Sequence, residues 1–245
     1  MPGLLRSERG ITILETTVIL SVLFILAGAM SPIVSESVNT ARAVKAKNDA
    51  SMIAMALINF QKDVGADGLN FGGAAVAGQA PRLPSLLASQ GSAPEIDDPQ
   101  ETRDSQEAAV IPLLAAPGRD RVTLTDGTRA AIRAQRHRWR DTPAGALDDH
   151  LMTNRRGYRY RRPGEYGGWN GPYVSAEIKG DPWGRQYLIN SQWLDGSSST
   201  ADAQGRVRRA VFIVSAGVDG VIDTPFEQSV VDARAFGDDI VIRIQ

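Results

Sequence analysis

The chain of 245 residues contains no cysteine and only two histidines, His137 and His150. The absence of cysteine excludes disulfide bonds and a lipid anchor attached to cysteine, so the stability of the fold must come from packing, from neighbours or from a bound ion. Two histidines supply little material for a zinc site or a histidine-based hydrolytic site. A formal net charge of -1 argues against bulk electrostatic attraction to nucleic acid or to anionic lipid.

What the chain does contain is one long apolar run, over residues 11–34, with the carboxylate of Glu15 near its start. As a helix this run would be about 36 Å long, enough to cross the roughly 30 Å hydrocarbon core of a bilayer. A charged side chain in such a segment costs roughly 2.5–3.5 kcal/mol, so it is usually retained for a reason. The ten residues before the run carry two arginines, and we expect them to stay cytoplasmic while the remainder is exported.

Three fates of this segment are open. Ala27, Gly28 and Ala29 offer a small-residue site for ordinary signal-peptide cleavage, but Glu15 interrupts the apolar core and helix-like sequence continues past the site. An uncleaved signal anchor is the second fate. The third is recognition of the border between the leader and the apolar run.

The border itself carries a specific motif. Gly10 is followed by Ile11, Thr12 and Ile13, with Glu15 as the fifth residue after the glycine, and this pattern resembles the class III signal of type IV prepilins and type II secretion pseudopilins. The resemblance implies that a prepilin peptidase cuts after Gly10 and methylates the new N-terminus at Ile11. It also implies that Glu15 pairs with the Ile11 amine of a neighbouring subunit and sets the register of assembly, with Thr12 helping through its hydroxyl.

Helical periodicity continues beyond Pro32, which lies where many of these proteins carry a helix-kinking proline. Apolar residues recur at spacings of three and four with charges between them, at Val34, Val38, Ala41, Ile53, Leu57, Phe60 and Val64. This pattern predicts one long helix over about 11–64, whose second half packs an apolar stripe onto a globular head, with Gly65 and Gly68 as terminators. A separate surface helix after an anchor fits the stripe equally well.

Residues 65–165 are the least informative part of the sequence. A Gly/Ala-rich stretch is followed by an acidic one, and both are typical of loops with short helical turns; the acidic residues are Glu95, Asp97, Asp98, Glu101, Asp104 and Glu107. Residues 122–132 alternate into and out of Asp126-Gly127, a favoured two-residue turn, and so predict a hairpin.

Nine arginines lie between Arg133 and Arg162, with His137, Trp139, Tyr158 and Tyr160 among them. Arginine interleaved with aromatic residues is the chemistry of single-stranded nucleic-acid binding. Acidic and basic segments of one domain more often complement each other or a neighbouring subunit, so we do not expect nucleic acid as a partner.

A second resemblance comes from residues 167–190, which look like the segment ending in an Asp-Pro-Trp-Gly turn and a strand in the major pseudopilin of type II secretion systems. Here the turn is Asp181-Pro182-Trp183-Gly184, with proline presetting a dihedral and Trp183 offering a large apolar group. Strands are predicted at 187–190, 210–214 and 240–244, with a loop over 195–205. We expect a small antiparallel sheet packed on the long helix.

The sequences SAGVDG (215–220) and GDDI (237–240) resemble the two elements that enclose a calcium ion in pseudopilins. Calcium takes six to eight oxygen ligands from carboxylates and backbone carbonyls. The resemblance implies carboxylate ligands at Asp219, Asp238 and Asp239, carbonyl ligands at Ala216 and Val221, and Asp223 in reserve. Seventeen residues, 221–237, lie between Gly220 and Asp238, where the family has a shorter link.

The predicted fold class is therefore α+β and pilin-like: a long N-terminal α-helix, transmembrane in its first half, packed on a small antiparallel β-sheet, with a large loop-rich insertion. The predicted organisation is a cleaved cytoplasmic leader (1–10), a transmembrane and assembly helix (11–34), its amphipathic continuation (35–64), a variable insertion (65–165), and a C-terminal sheet region with the candidate calcium loop (166–245). The two resemblances cover 10–64 and 167–245.

The sequence predicts a structural subunit of a pseudopilus filament in type II protein secretion. A type IV surface pilin and a membrane-anchored periplasmic binding module are the alternatives; no nucleophile–base pair or phosphate loop indicates an enzyme. Expected partners are further copies of the chain, other pseudopilins, a prepilin peptidase, the inner-membrane assembly platform and the membrane. The expected location is the bacterial inner membrane, single-pass with a periplasmic C-terminal domain, and then a periplasmic or surface filament.

Overall fold

The computed structural model describes residues 12–68, 70–71, 82–96, 126–165, 167–194, 209–230 and 233–244. The chain divides into two units, residues 1–41 and 42–245, which are described separately. Helix α1, Ile13–Gly68, begins in the first unit and ends in the second. The predicted loop over 195–205 lies outside the described residues.

The predicted C-terminal end of α1 is confirmed. Gly65 has non-helical dihedrals (φ 72°, ψ 167°), so regular helix extends to Val64 before the interruption. Glycine reaches positive φ without the steric penalty of a Cβ atom, which is why it terminates helices so often. The backbone is helical through Pro32.

In the part of the chain that the structure describes, no helix is both long enough and apolar enough to cross a lipid bilayer. The transmembrane segment expected over residues 11–34 is therefore not confirmed.

The second unit contains a mixed five-stranded sheet, in the order β4-β3-β5-β6-β7. Its strands are β3 (Leu86–Ala88), β4 (Ala144–Ala146), β5 (Leu188–Ile189), β6 (Phe212–Ser215) and β7 (Ile240–Arg243). Two further strands, β1 (Asn70–Phe71) and β2 (Arg82–Leu83), pair in parallel in a separate sheet. The three strands predicted in the C-terminal third are confirmed as β5, β6 and β7, which pair antiparallel.

The expectation of a purely antiparallel sheet is wrong, because β3 and β4 pair in parallel. Both strands come from the region expected to be a loop-rich insertion, and β3 pairs antiparallel with the central strand β5. All three residues of β3 are buried, so the strand lacks the alternation of apolar and polar residues that marks a half-exposed strand.

The predicted hairpin over 122–132 is also wrong within the described residues, which begin at Asp126. Helix α2 spans Asp126–Asp141, and a short helix α3 spans Asp148–Leu151. Asp-Gly favours a tight turn, but aspartate is also favoured at helix N-termini, and here the helical alternative prevails. Trp139, 2% exposed, fixes α2 to the core, and its Nε1–H donates to the Thr224 carbonyl at 2.7 Å.

The core of the second unit is one hydrophobic cluster that combines the inner face of α1 with the sheet. Ile53, Leu57 and Phe60 are fully buried in it, as the helical periodicity predicts. The first three members of the predicted stripe, Val34, Val38 and Ala41, lie in the first unit and are exposed.

Candidate functional site

The N-terminal candidate residues lie at the start of α1. Gly10 and Ile11 lie outside the described residues. The Thr12 N–H and hydroxyl donate to Glu15 Oε2 at 2.9 and 3.1 Å, and the Glu15 N–H donates to Thr12 Oγ1 at 3.3 Å. This reciprocal pair is a capping box, which satisfies donors that the first helical turn leaves open. The sequence contains this Thr-x-x-Glu signal within the border motif.

Apolar side chains surround the first turns of α1 and stay uncovered within the first unit. Every side chain from residue 12 to residue 26 is exposed. The large apolar ones range from 49% exposed at Val22 to 84% at Ile13. A helix that is apolar on all sides is normally buried in a protein or in lipid, so this surface requires a partner.

In the second unit, Asp181 organises the Asp-Pro-Trp-Gly turn. Its carboxylate is buried, and Oδ1 accepts from the N–H groups of Trp183 and Arg185 at 3.0 and 2.9 Å. The other oxygen accepts from the Ser215 hydroxyl at 2.6 Å. The turn and the SAGVDG segment are separate motifs in the sequence, and a hydrogen bond joins them directly in the fold.

The structure brings the two acidic elements together across the seventeen residues between Gly220 and Asp238. Asp238 Oδ2 accepts from the N–H groups of Val218 and Asp219 at 2.6 and 3.1 Å. Asp239 Oδ2 accepts from the N–H groups of Asp223 and Thr224 at 3.0 and 2.7 Å. Residues 218–224 are called the first acidic loop, and residues 237–239 the second acidic loop. The two carboxylates join these loops by hydrogen bonds.

Burial weakens the ionisation of two of these carboxyl groups. Desolvation raises the pKa of Asp239 to about 7, and the Asp223 carboxylate adds to the rise against the hydrogen bonds from Thr224. Desolvation, with the neighbouring Asp238 charge, raises the pKa of Asp219 to about 6. Within the described residues, Asp239 Oδ1 is buried with no hydrogen-bond partner, so no donor stabilises the negative charge at that oxygen.

Three glycines of these loops have positive φ, and each lies against a charged side chain from another segment. A Cβ atom at Gly217 would lie 2.6 Å from Asp238 Oδ2, and one at Gly237 would lie 2.2 Å from Asp223 Oδ2. A Cβ atom at Gly220 would lie 2.3 Å from the Arg185 guanidinium carbon. A side chain at any of the three positions would therefore displace a charged group.

Several of the expected calcium ligands already accept backbone hydrogen bonds. Asp238 and Asp239 turn an oxygen toward backbone N–H groups, Asp219 Oδ1 accepts from the Val221 N–H at 2.9 Å, and the Ala216 carbonyl accepts from the Gly220 N–H at 3.1 Å. Calcium requires six to eight converging oxygens. Among the described residues, no three acidic or histidine side chains come close enough to hold a metal ion.

Arginines of residues 133–162 form ion pairs with acidic side chains outside the predicted acidic segment. The ion pairs are Arg155 and Arg156 with Asp149, Arg159 and Arg162 with Glu165, Arg161 with Asp63, and Arg138 with Glu227. The acidic residues from Asp97 to Glu107 lie outside the described residues.

A polar cavity of about 540 Å³ near the end of α1 was not foreseen from the sequence. Asp63 lines it, with its carboxylate 3.7 Å from Arg161 and accepting from the Tyr173 hydroxyl at 3.1 Å. These residues are about a hundred positions apart in the chain, so no local pattern reveals the pair.

No protein-family model matches the chain, and no curated protein or solved structure shows a significant match to it.

Proposed function

We propose that this protein is a structural subunit of a pseudopilus-type filament in type II protein secretion. The observation that carries the proposal is the uncovered apolar surface of α1 over residues 13–26, which follows directly after the Gly10 border motif. The border motif predicts the bond that a peptidase cleaves. The apolar surface predicts that the helix then packs against an apolar partner. In the bilayer lipid covers the helix, and in a filament other copies of the chain cover it.

Burial of apolar side chains drives such an assembly. Removal of apolar surface from water contributes about 25 cal/mol per Å². Ten large apolar side chains between Ile13 and Leu26 are exposed in the subunit, so helix-to-helix contact removes a substantial area from solvent. We propose that the chain resides in the bacterial inner membrane until the assembly platform extracts it, with prepilin peptidase and other pseudopilins as further partners.

The role proposed for Glu15 is to select the register of the neighbouring copy. In the free subunit the capping box supplies hydrogen bonds to its carboxylate, but these come from neutral donors and leave the negative charge uncompensated. The amine that cleavage after Gly10 would create at Ile11 supplies a positive charge of matching size. Between packed apolar helices such a pair is favourable, whereas either charge alone is costly.

Mass spectrometry of the purified protein tests the processing step. We expect a mature chain that begins with N-methylated Ile11. A chain that begins at Met1 or Met30 contradicts the filament proposal and favours an uncleaved anchor or an ordinary secreted protein.

Replacement of Glu15 tests the assembly step. Glu15→Gln is the sharper variant, because glutamine also serves at this position of a capping box and only the charge is lost. We expect Glu15→Gln to abolish filaments, as seen by cross-linking and electron microscopy, while membrane insertion is unchanged. The comparison variant Thr12→Ala weakens the cap but keeps the Glu15 charge, and it should reduce assembly much less than Glu15→Gln does. Normal assembly of Glu15→Gln together with failure of Thr12→Ala would assign Glu15 to capping alone.

A further inference from the structure

Two arginines from outside the acidic loops reach into them. Arg136 lies on α2, in the region that the sequence suggested was a variable insertion. Arg185 directly follows the Asp181-Pro182-Trp183-Gly184 turn. Neither residue belongs to the motifs that suggested a calcium site.

Arg136 joins three segments through a single buried guanidinium group. Its side chain is only 9% exposed. Nε donates to the Ile222 carbonyl at 3.1 Å, and Nη2 donates to the Ile96 carbonyl at 3.2 Å. Nη2 also lies 3.2 Å from Asp223 Oδ1. The group therefore neutralises an acidic side chain of the first loop while it binds two carbonyl oxygens.

Arg185 holds the other end of the first acidic loop. Its Nη1 donates to the Gly217 carbonyl at 2.8 Å, and its guanidinium group packs on the Cα of Gly220, where a Cβ atom has no room. Its own backbone N–H is held by the buried Asp181 carboxylate at 2.9 Å. The cation is thus fixed at both its backbone and its head group.

We propose that Arg136 and Arg185 hold the first acidic loop in place of a calcium ion, so that the domain keeps its fold without the metal. A calcium site brings a doubly charged cation against carbonyl and carboxylate oxygens. The two guanidinium groups together bring two positive charges against the Gly217 and Ile222 carbonyls and the Asp223 carboxylate, and the planar donor fork of arginine suits these contacts. This proposal is independent of the proposed filament function.

Thermal unfolding of the full chain in detergent micelles tests the proposal directly. All four tryptophans lie in residues 139–193, so their fluorescence reports on the second unit. We expect the melting temperature in millimolar calcium, in magnesium and in excess chelator to agree within about 1 °C. A calcium site filled at a hundredfold excess over its dissociation constant raises the melting temperature by roughly 5–10 °C. A rise of that size with calcium, and not with magnesium, overturns the proposal.

Arginine variants test the other half of the proposal. Arg136→Met and Arg185→Met should each lower the melting temperature by roughly 10 °C, because buried oxygens lose a charged partner. Arg133→Met, on the same helix but exposed, is the matched control and should change it by less than about 2 °C. Where Arg136→Met does not fold, Arg136→Lys keeps the charge without the fork and should lose about half as much. Variants that melt with the Arg133→Met control overturn the proposal.

Discussion

At the scale of single residues, His150 is a titratable side chain that burial keeps uncharged. Its side chain is fully buried, and Nδ1 lies 2.7 Å from the Tyr158 hydroxyl. The Phe60 ring packs edge-on against the Tyr158 ring at 5.1 Å between centroids. Burial, with a smaller contribution from Arg156, lowers the pKa of His150 to about 3. His150 is therefore a neutral core residue.

The lowered pKa predicts a loss of stability in acid. An unfolded histidine has a pKa of about 6.5, so between about pH 6.5 and pH 3 the unfolded chain binds more protons than the folded chain. The contribution of His150 is complete above this window and falls as the pH falls through it. We expect the free energy of unfolding to lose about 2–3 kcal/mol through His150 between about pH 7.5 and pH 4.5.

Urea unfolding of the wild-type chain and of His150→Gln at both pH values measures this loss. Asp239 has the opposite sign, because its raised pKa removes stability as the pH rises from about 4 to about 7. The difference between the two chains cancels this term and isolates His150. A difference that does not change with pH contradicts the assignment of His150 as a neutral buried group.

At the scale of secondary-structure elements, the second half of α1 is the main support of the core. Phe60 is fully buried, and its ring makes edge-on contacts with His150, Tyr158 and Tyr173 at 5.1–6.3 Å between centroids. These three rings come from residues 150–173, far along the chain. One side chain of the helix therefore joins the insertion to the C-terminal region.

Truncation of Phe60 tests this role. We expect Phe60→Ala to lower the free energy of unfolding by about 3–5 kcal/mol, from lost transfer energy and the cavity left behind. Met55→Ala is the matched control on the same helix, because Met55 is 68% exposed and its loss should change stability by less than about 0.5 kcal/mol. Denaturant midpoints measured by tryptophan fluorescence give both values. Equal effects at the two positions contradict the assignment of the helix face.

The elements that the sequence predicts correctly are those with strong local signals. Helical periodicity and Gly65 predict where α1 ends, and apolar runs bounded by turn residues predict β5, β6 and β7. Strands β3 and β4 have three residues each, and neither sequence alternates apolar with polar residues. Only their pairing with each other in the folded sheet identifies them as strands. In α2 the Asp126-Gly127 pair is ambiguous between turn and helix start, and the buried Trp139 decides in favour of the helix.

The candidate site is predictable to a similar degree. The motifs SAGVDG and GDDI can be read from the sequence because they are local, and the structure places the two segments against each other. The motifs do not reveal Arg136 or Arg185, since a guanidinium group that reaches a carbonyl oxygen far along the chain leaves no signature in spacing. They also omit the bond from Ser215 to Asp181, which depends on how the sheet arranges two turns.

At the scale of the whole molecule, the hydrophobic cluster belongs to the second unit alone. Its buried residues run from Ala50 to Phe226, whereas the described side chains over residues 12–26 are all exposed. The second unit therefore folds around its own core. The described apolar side chains of the first unit have no such core to pack against.

A chain of residues 42–245 tests the division. We expect it to fold, to be monomeric, and to melt within about 2 °C of the full chain, because it keeps the whole described core. Sedimentation and tryptophan fluorescence measure the two properties. A truncated chain that does not fold, or that still forms filaments, contradicts the division of roles between the units.

The glycines at 217, 220 and 237 have a consequence for how this domain can change over evolutionary time. Each one leaves room for a charge contributed from elsewhere, Asp238, Arg185 and Asp223 respectively. A methyl group gained at position 220 or 237 requires the opposing side chain to move or shorten, in addition to the strain of a positive φ, and at position 217 it also meets the Asp238 carbonyl oxygen. The six positions therefore form three linked pairs, and drift in one loop is limited by the side chains of another.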